Sequence, residues 1–305
     1  MRLVILGLGY SASHFLAEAR ERFASRLLDV TATVRDQRRA AAMSGDTVEV
    51  LSFDGASASQ KLADRIMRAD AMLVSIPPGE AGDPALRFLS PAIAASTLRW
   101  IGYLSTVGVY GDHGGAWVDE TTPCRPVSAR SVARLAAEEG WLALASPERA
   151  VQVLRLSGIY GPGQNALENL RAGTARRIIK PGQVFNRIHA ADIAGAAAHL
   201  MERALDAAAD PGLARIVNVT DCEPAPPQDV VAHAAMLMGV TPPPETPFEE
   251  AALSPMARSF YGENKRVSNR LLKEDLGYAL RYPTYREALA ALWDAMRQNG
   301  WGVSR

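Results

Sequence analysis

Near the start of the chain, Gly7, Gly9 and Ala12 in "VILGLGYSASHF" have the spacing G-x-G-x-x-A between an apolar run and a helical pattern. Each residue has a physical task. Gly7 permits a tight turn, Gly9 lets a pyrophosphate approach the backbone, and Ala12 is small enough for close helix–strand packing. The helix start around Tyr10 and Ser11 offers N–H donors and a positive dipole end to phosphate oxygens. The motif therefore points to a dinucleotide, and a tight turn without a ligand is the competing reading. A cluster of charge follows in "ATVRDQRR". An acid at the end of that second apolar run would bind ribose hydroxyls and favour NAD. Arg35 stands there instead, with Arg38 and Arg39 close behind. Guanidinium groups suit a 2′-phosphate through paired hydrogen bonds, so NADP is preferred, while Asp36 keeps NAD open. A solvated basic helix start is the plainer alternative for these arginines. Asp54, after the third apolar run, is a candidate for the adenine edge.

Regular elements must hold these residues in place. The runs "RLVILGL", "LDVTATVR", "TVEVLSF", "AMLVSI", "RWIGYLS" and "AVQVLRLSGIY" alternate with segments rich in Ala, Arg and Glu. That alternation is the pattern of βαβ units around a parallel sheet. The predicted fold class is α/β: a Rossmann-type doubly wound parallel sheet with a smaller, irregular C-terminal substrate domain. Residues 1–160 are the expected dinucleotide-binding domain, to which 183–220 contribute further sheet and helix. Residues 161–182 and 221–305 are the expected substrate-binding part. A helix is expected from about Ser128 to Leu144. "EPAPPQ" and "TPPPETP" read as loops, "RVSNRLLKEDLG" and "TYREALAALWDAMRQ" as helices, and "AAMLMG" as core.

A chain of 305 residues can bury a substantial core. Its 33 basic residues balance 33 acidic ones, which removes the electrostatic case for a nucleic-acid surface or an anionic membrane. Cys124 and Cys222 lie far apart with no metal-ligand spacing, so neither a disulfide framework nor a metal site is expected. The short apolar start runs straight into glycines and reads as a buried strand, not a signal peptide or membrane span. The expectation is a cytoplasmic enzyme or binding protein with a small-molecule partner.

Further motifs carry a resemblance. "YLSTVGVYGD", "WVDETTPCRP", "VLRLSGIYGPG", "RIHAADIA" and "NKRVSNRLLKEDLGYALRYPTYREAL" occur in that order over nearly the whole chain. Together they resemble the extended short-chain dehydrogenase/reductases, the NAD-dependent epimerase/dehydratase family, in an atypical branch. The resemblance implies that Thr106, with Ser105 beside it, orients a substrate oxygen. In the family a Tyr-x-x-x-Lys pair follows. Its lysine binds the nicotinamide ribose and lowers the tyrosine pKa, and the tyrosine passes the proton.

Counting forward from Val109-Tyr110-Gly111, Arg130 and Arg134 occupy those two places. Arginine has a pKa of about 12.5–13.8, so Arg130 is a poor proton carrier. Arg134 can still donate to ribose hydroxyls. Tyr110, Asp112, His113, Asp119 and Glu120 lie nearby, and His113 has the most suitable ordinary pKa. Loop solvation or helix capping is the plainer role for each.

The family further implies that Tyr160 and Pro162 line the nicotinamide end, with a substrate pocket between the two domains. Arg187, His189 and Asp192 would form its wall, and Lys265 and Arg266 would add positive charge. Arg130, Arg187 and Arg266 would then surround a carboxylate or phosphate. Structural ion pairs with Asp119, Glu120, Glu138 or Asp192 are the alternative. A homodimer through the Arg134 helix is a further family expectation. Two functions remain. One is an NAD(P)-binding epimerase/dehydratase- or reductase-like enzyme acting on a small polar, anionic substrate, with its proton donor elsewhere. The other is a non-catalytic NADP(H)-sensing or scaffold protein.

Overall fold

The computed structural model describes residues 1–206 and 215–300. Residues 207–214, inside the expected 183–220 contribution, and 301–305, at the end of the expected substrate part, lie outside the described residues. Two compact units emerge. The first comprises residues 1–109, 126–156 and 193–217, and the second 110–125, 157–192 and 218–305.

Seven strands form the main sheet. They are β1 (Arg2–Leu6), β2 (Asp29–Val34), β3 (Glu49–Ser52), β4 (Ala71–Val74), β5 (Trp100–Thr106), β6 (Ala150–Leu156) and β7 (Ile216–Val219). Their order is β7-β6-β5-β4-β1-β2-β3, and the sheet is parallel. Residues Leu3 to Leu6 of β1 and Ala71 to Val74 of β4 are all buried, because helices cover both faces of such a sheet. The chain begins mid-sheet, winds outward to β3, then returns past β1 to lay down β4. That reversal between β1 and β4 leaves a crevice at the carboxyl ends of the strands. This is the doubly wound α/β arrangement that the alternation of apolar runs implies.

The helices between and after these strands include α1 (Tyr10–Arg22), α2 (Gln37–Met43), α3 (Gln60–Met67), α4 (Pro84–Ala94), α5 (Ala129–Leu142) and α6 (Ala190–Asp206). Ser128 caps α5 by accepting the Ser131 N–H, so the helix starts one residue later than expected. Ser131, Ala137, Glu138 and Trp141 are its buried residues, a stripe at helical spacing. Trp141 joins Phe53, Ile66, Leu89, Ile101, Tyr103 and Val153 in the core of the first unit. Its indole Nε1 donates to Asp83 at 3.0 Å, while Asp83 also caps α4 through the Ala85 N–H. Burial raises the Asp83 carboxyl above its ordinary pKa.

The second unit is built differently, from three two-stranded parallel ladders. They pair Gly158–Tyr160 with Arg187–His189, Arg177–Ile179 with Glu245–Pro247, and Trp117–Val118 with Arg266–Val267. Part of the proline-rich segment expected to be a loop thus forms a strand. Every strand of a two-stranded ladder is an edge, where a proline without an N–H is tolerated. The expected helix in "RVSNRLLKEDLG" resolves into the Arg266–Val267 strand and one wide turn, Leu271–Asp275. The closing helix Tyr285–Gln298 starts at a reciprocal Thr284–Glu287 cap and packs Tyr285, Ala288 and Leu289 against Tyr160, Leu167 and Val230. Met236, expected in the core, is 65% exposed, because its helix buries the face carrying Val230, Ala234 and Ala235.

Candidate functional site

The glycine turn joins β1 to α1. Gly7 has φ +91°, and a Cβ on it would lie 2.9 Å from Ile76 Cγ1, so only glycine fits. Its N–H donates to Thr33 Oγ1 at 2.9 Å, and the Leu8 N–H donates to the Thr33 carbonyl at 2.7 Å. Those two bonds fix the turn on the end of β2. Gly9 is the contrasting case: a Cβ there would meet nothing within 4 Å. The same residue caps α1 without any side-chain acceptor for the first-turn N–H groups. An uncapped helix start beneath open space is a cradle for phosphate oxygens. Ala12 is fully buried, as close helix–strand packing requires, and Ser11 is buried beside it. The Tyr10 ring stands edge-on to His14 at 4.9 Å.

A cavity of about 600 Å³ opens from this turn at the carboxyl ends of β1 to β4. Its walls include Gly7 to Gly9, Thr33 to Asp36 with Arg39, Phe53 to Gly55, and Ser75 to Pro77. Arg35 and Arg39 line it, and among the described residues neither guanidinium has an ion pair or hydrogen-bond partner. Arg38 is not part of the wall. Asp36 faces the cavity but is already engaged, accepting the Arg39 N–H at 2.8 Å as the cap of α2. Asp54 likewise lines the cavity while accepting the Ala56 N–H at 2.9 Å. Glu80 from the connection after β4 and Arg87 from the first turn of α4, which no sequence motif marked, also line the wall. The prolines and glycines of "IPPGEAGDP" signal a turn there, and they say nothing about where it folds back.

The carboxyl end of β5 carries the residues expected near a substrate. Thr106 Oγ1 accepts the Gly108 N–H at 3.1 Å. Ser105 has a different task from the expected one. It is buried and donates to Glu138 at 2.5 Å, and Glu138 pairs with Arg155 at 2.7 Å. Strand alternation explains this, since neighbours on β5 point to opposite faces. Glu138 is consequently no partner for Arg130. Arg134 lies along β5, donating through Nη1 to the Leu104 carbonyl at 2.8 Å and to Tyr103 Oη at 3.2 Å. Its guanidinium carbon stands 5.6 Å from the Tyr103 ring centre. Nε and Nη2 remain to serve a ligand. Arg130 is exposed on the first turn of α5.

In the second unit most expected site residues have structural duties. Tyr110 is fully buried and its hydroxyl donates to Asn218 at 2.8 Å, which removes it as a proton carrier. His113 Nε2 lies 3.0 Å from the Tyr110 carbonyl. Asp112 accepts the Asn264 N–H at 2.7 Å, and Thr121 and Thr122 surround Asp119; these hydrogen bonds hold both carboxyls below their usual range. Glu120 accepts the Asn218 N–H at 2.8 Å. Arg187 pairs with no acid among the described residues; it donates to the carbonyls of Phe185 and Ala225 at 2.9 and 3.0 Å. Burial lowers its pKa.

His189 sits edge-on to Tyr160 and Tyr282, with ring centres 5.4 and 4.4 Å apart. The Tyr160 hydroxyl is buried without a hydrogen-bond partner among the described residues, and burial pushes its pKa up. Pro162 sits in the tight turn between Gly161 and Gln164. Asp192 accepts from the backbone of Arg281 and Tyr282 at 2.6 and 3.0 Å, so it anchors the C-terminal segment. Lys265 is held by Glu263 at 2.6 Å and the Gly111 carbonyl at 2.7 Å, and Arg266 by the Gly115 carbonyl.

Residues 89–220 match the NAD dependent epimerase/dehydratase family. Protein YeeZ of Escherichia coli (strain K12) is 30% identical over 231 residues, which cover 72% of this chain and 74% of that protein. The chain belongs to the NAD dependent epimerase/dehydratase family. A functionally unknown conserved protein from Silicibacter pomeroyi DSS is 44% identical, with TM-score 0.82 over 96% of this chain and 98% of that one. The UDP-glucuronic acid 4-epimerase of Bacillus cereus, solved in complex with NAD, shares the fold. It has TM-score 0.76 at 15% identity, covering 100% of this chain and 99% of that one. No described helix is long and apolar enough to cross a membrane.

Proposed function

We propose that this protein is an NADP(H)-binding reductase or epimerase/dehydratase-like enzyme that acts on a small polar, anionic substrate. The observation that carries the cofactor preference is the cavity wall. Arg35 and Arg39 face it without a partner among the described residues, whereas Asp36, the acid that would bind ribose hydroxyls, is committed to the α2 cap. In this reading Gly9 and the start of α1 hold the diphosphate, Arg35 and Arg39 the 2′-phosphate, Asp54 the adenine edge, and Arg134 the nicotinamide ribose. A bound dinucleotide supplies or accepts hydride at a substrate carbon. Thr106 orients the substrate oxygen, and Arg130 supplies a fixed cation for the substrate's anionic group.

The test is titration of NADPH and NADH against intrinsic tryptophan fluorescence, in wild type and Arg35→Ala. A charge-assisted hydrogen bond contributes about 1.5–3 kcal/mol, so Arg35→Ala raises the NADPH Kd by roughly 10- to 100-fold and leaves NADH nearly unchanged. NADH binding tighter than NADPH, or an unchanged NADPH Kd in the variant, removes the NADP assignment. A second reading has its own support: a guanidinium stands where the phenol is expected and the Tyr110 hydroxyl is buried in a structural bond, which suits a non-catalytic NADP(H) sensor. A sensor binds NADPH, turns over none of a panel of aldehydes, ketones, sugar nucleotides and hydroxy acids, and binds a protein partner according to the NADPH-to-NADP ratio.

A further inference from the structure

The phenol absent from position 130 leaves a gap in the chemistry, and the next residue carries a hydroxyl. Ser131 is buried, with 8% of its surface exposed, on the face of α5 that packs toward β5. Its N–H donates to Ser128 Oγ at 3.1 Å, and Ser128 Oγ donates back to Ser131 Oγ at 2.9 Å. Across from it, Thr106 Oγ1 accepts the Gly108 N–H at 3.1 Å. Gly108 links the two. A Cβ built on it would lie 3.1 Å from Ser131 Oγ and 3.3 Å from Thr106 Oγ1. Both hydroxyls therefore lie on the same side of the Gly108 Cα, where a side chain would crowd them. Each oxygen already accepts one hydrogen bond, and among the described residues neither proton has an acceptor. Two hydroxyls on one side of the same backbone position, each with its proton unspent, are able to donate together to a substrate oxygen.

We propose that Ser131 is a catalytic residue of this protein, donating with Thr106 to the substrate oxygen and passing the proton through Ser128. The inference rests on the enzyme reading above and fills the role its missing phenol leaves. When the substrate carbon gains hydride from the reduced dinucleotide, the C–O π pair moves onto oxygen. That oxygen takes the Ser131 proton, Ser131 takes the Ser128 proton, and Ser128 is replenished by water, leaving hydroxide to the solvent. The carbonyl becomes an alcohol with one hydride and one proton added. Oxidation runs the same transfers backwards. A hydroxyl both donates and accepts, so a relay needs no side chain that titrates near neutrality. Ser128 lies partly exposed at the helix start, where solvent can exchange its proton.

The test is a crystal structure of the full chain with NADP⁺, in wild type and Ser131→Ala, together with NADPH titrations of both. In wild type, one water beside the nicotinamide ring accepts from both Ser131 and Thr106; in Ser131→Ala it is lost while the NADPH Kd changes less than about 3-fold. The variant keeps the Ser131 N–H and therefore the helix cap, so it folds. With any carbonyl substrate that wild type reduces, Ser131→Ala lowers kcat by about 100-fold with little change in KM, and Ser131→Thr restores it. A nicotinamide ring distant from Gly108, or a Ser131 hydroxyl bonded to a protein acceptor in the complex, overturns the assignment while the cofactor reading stands. Failure of wild type to bind NADPH or NADP⁺ overturns the functional reading and this inference with it.

Discussion

The Glu138–Arg155 pair lies directly behind the carboxyl end of β5, and its removal should be felt throughout the first unit. The two side chains are 1% and 4% exposed, and Arg155 reaches both carboxylate oxygens. Ser105 adds a further bond to the same carboxylate. Glu138→Ala strands a buried guanidinium beside an orphaned hydroxyl. Removing one partner of a buried ion pair costs about 3–5 kcal/mol. Unfolding entropy is about 2.1 cal/mol/K per residue, so 305 residues give about 0.64 kcal/mol/K if the chain unfolds as one. The melting temperature should therefore fall by about 5–8 °C, and further if the first unit unfolds alone. The Glu138→Leu, Arg155→Met double variant removes both charges and should recover most of the loss, since an apolar pair of similar volume is often neutral. Differential scanning calorimetry measures both. If Glu138→Ala melts within about 1 °C of wild type, water reaches the pair and the burial argument fails. An uncorrected loss in the double variant would instead mean that packing, not charge, is what Glu138 provides.

Other consequences are equally direct. Gly7→Ala meets both a φ of +91° and Ile76 Cγ1 at 2.9 Å, so a loss of about 1–3 kcal/mol in urea unfolding is expected. Gly9→Ala enters open space and should leave the melting temperature nearly unchanged while weakening NADPH at least about 10-fold, because its methyl group occupies the phosphate cradle. Asp221 is buried, and desolvation pushes its carboxyl up to about 7, against the lowering effect of Arg187 and with Glu223 and Asp192 raising it. Its folded pKa lies above its unfolded value of about 3.9, so stability falls as pH rises from about 4 to 7, by up to about 4 kcal/mol. Asp221→Asn should remove that dependence, and its melting temperature relative to wild type should climb between pH 5 and 8. A constant difference would mean that the carboxyl is solvated.

The arginines of α5 illustrate how far the residue pattern reaches. Counting along the chain identifies Arg130 and Arg134 as the odd pair, and helical spacing puts them on one side of α5. Counting does not reveal that Arg134 lies against Tyr103 and Leu104, because that contact belongs to the packing of α5 on β5. Ser131 passes unnoticed in the sequence as one small polar residue among several. Its meaning depends on Gly108, which is 23 positions away and brought near only when the helix docks.

The sequence by itself determines the sheet, the glycine turn and the charge character of the loop after β2. These depend on local periodicity, on which residues tolerate a positive φ, and on residues adjacent in the chain. Tertiary structure decides which polar groups remain available to a ligand. Ser105, Tyr110, Asp112, Asp119 and Glu120 all carry suitable chemistry, yet each is committed to a partner that folding supplies. Arg35, Arg39, Thr106 and Ser131 keep donors without protein acceptors among the described residues. Where the partner is distant in the chain, as Glu138 is for Ser105 and Asn218 for Tyr110, residue order alone does not specify the meeting.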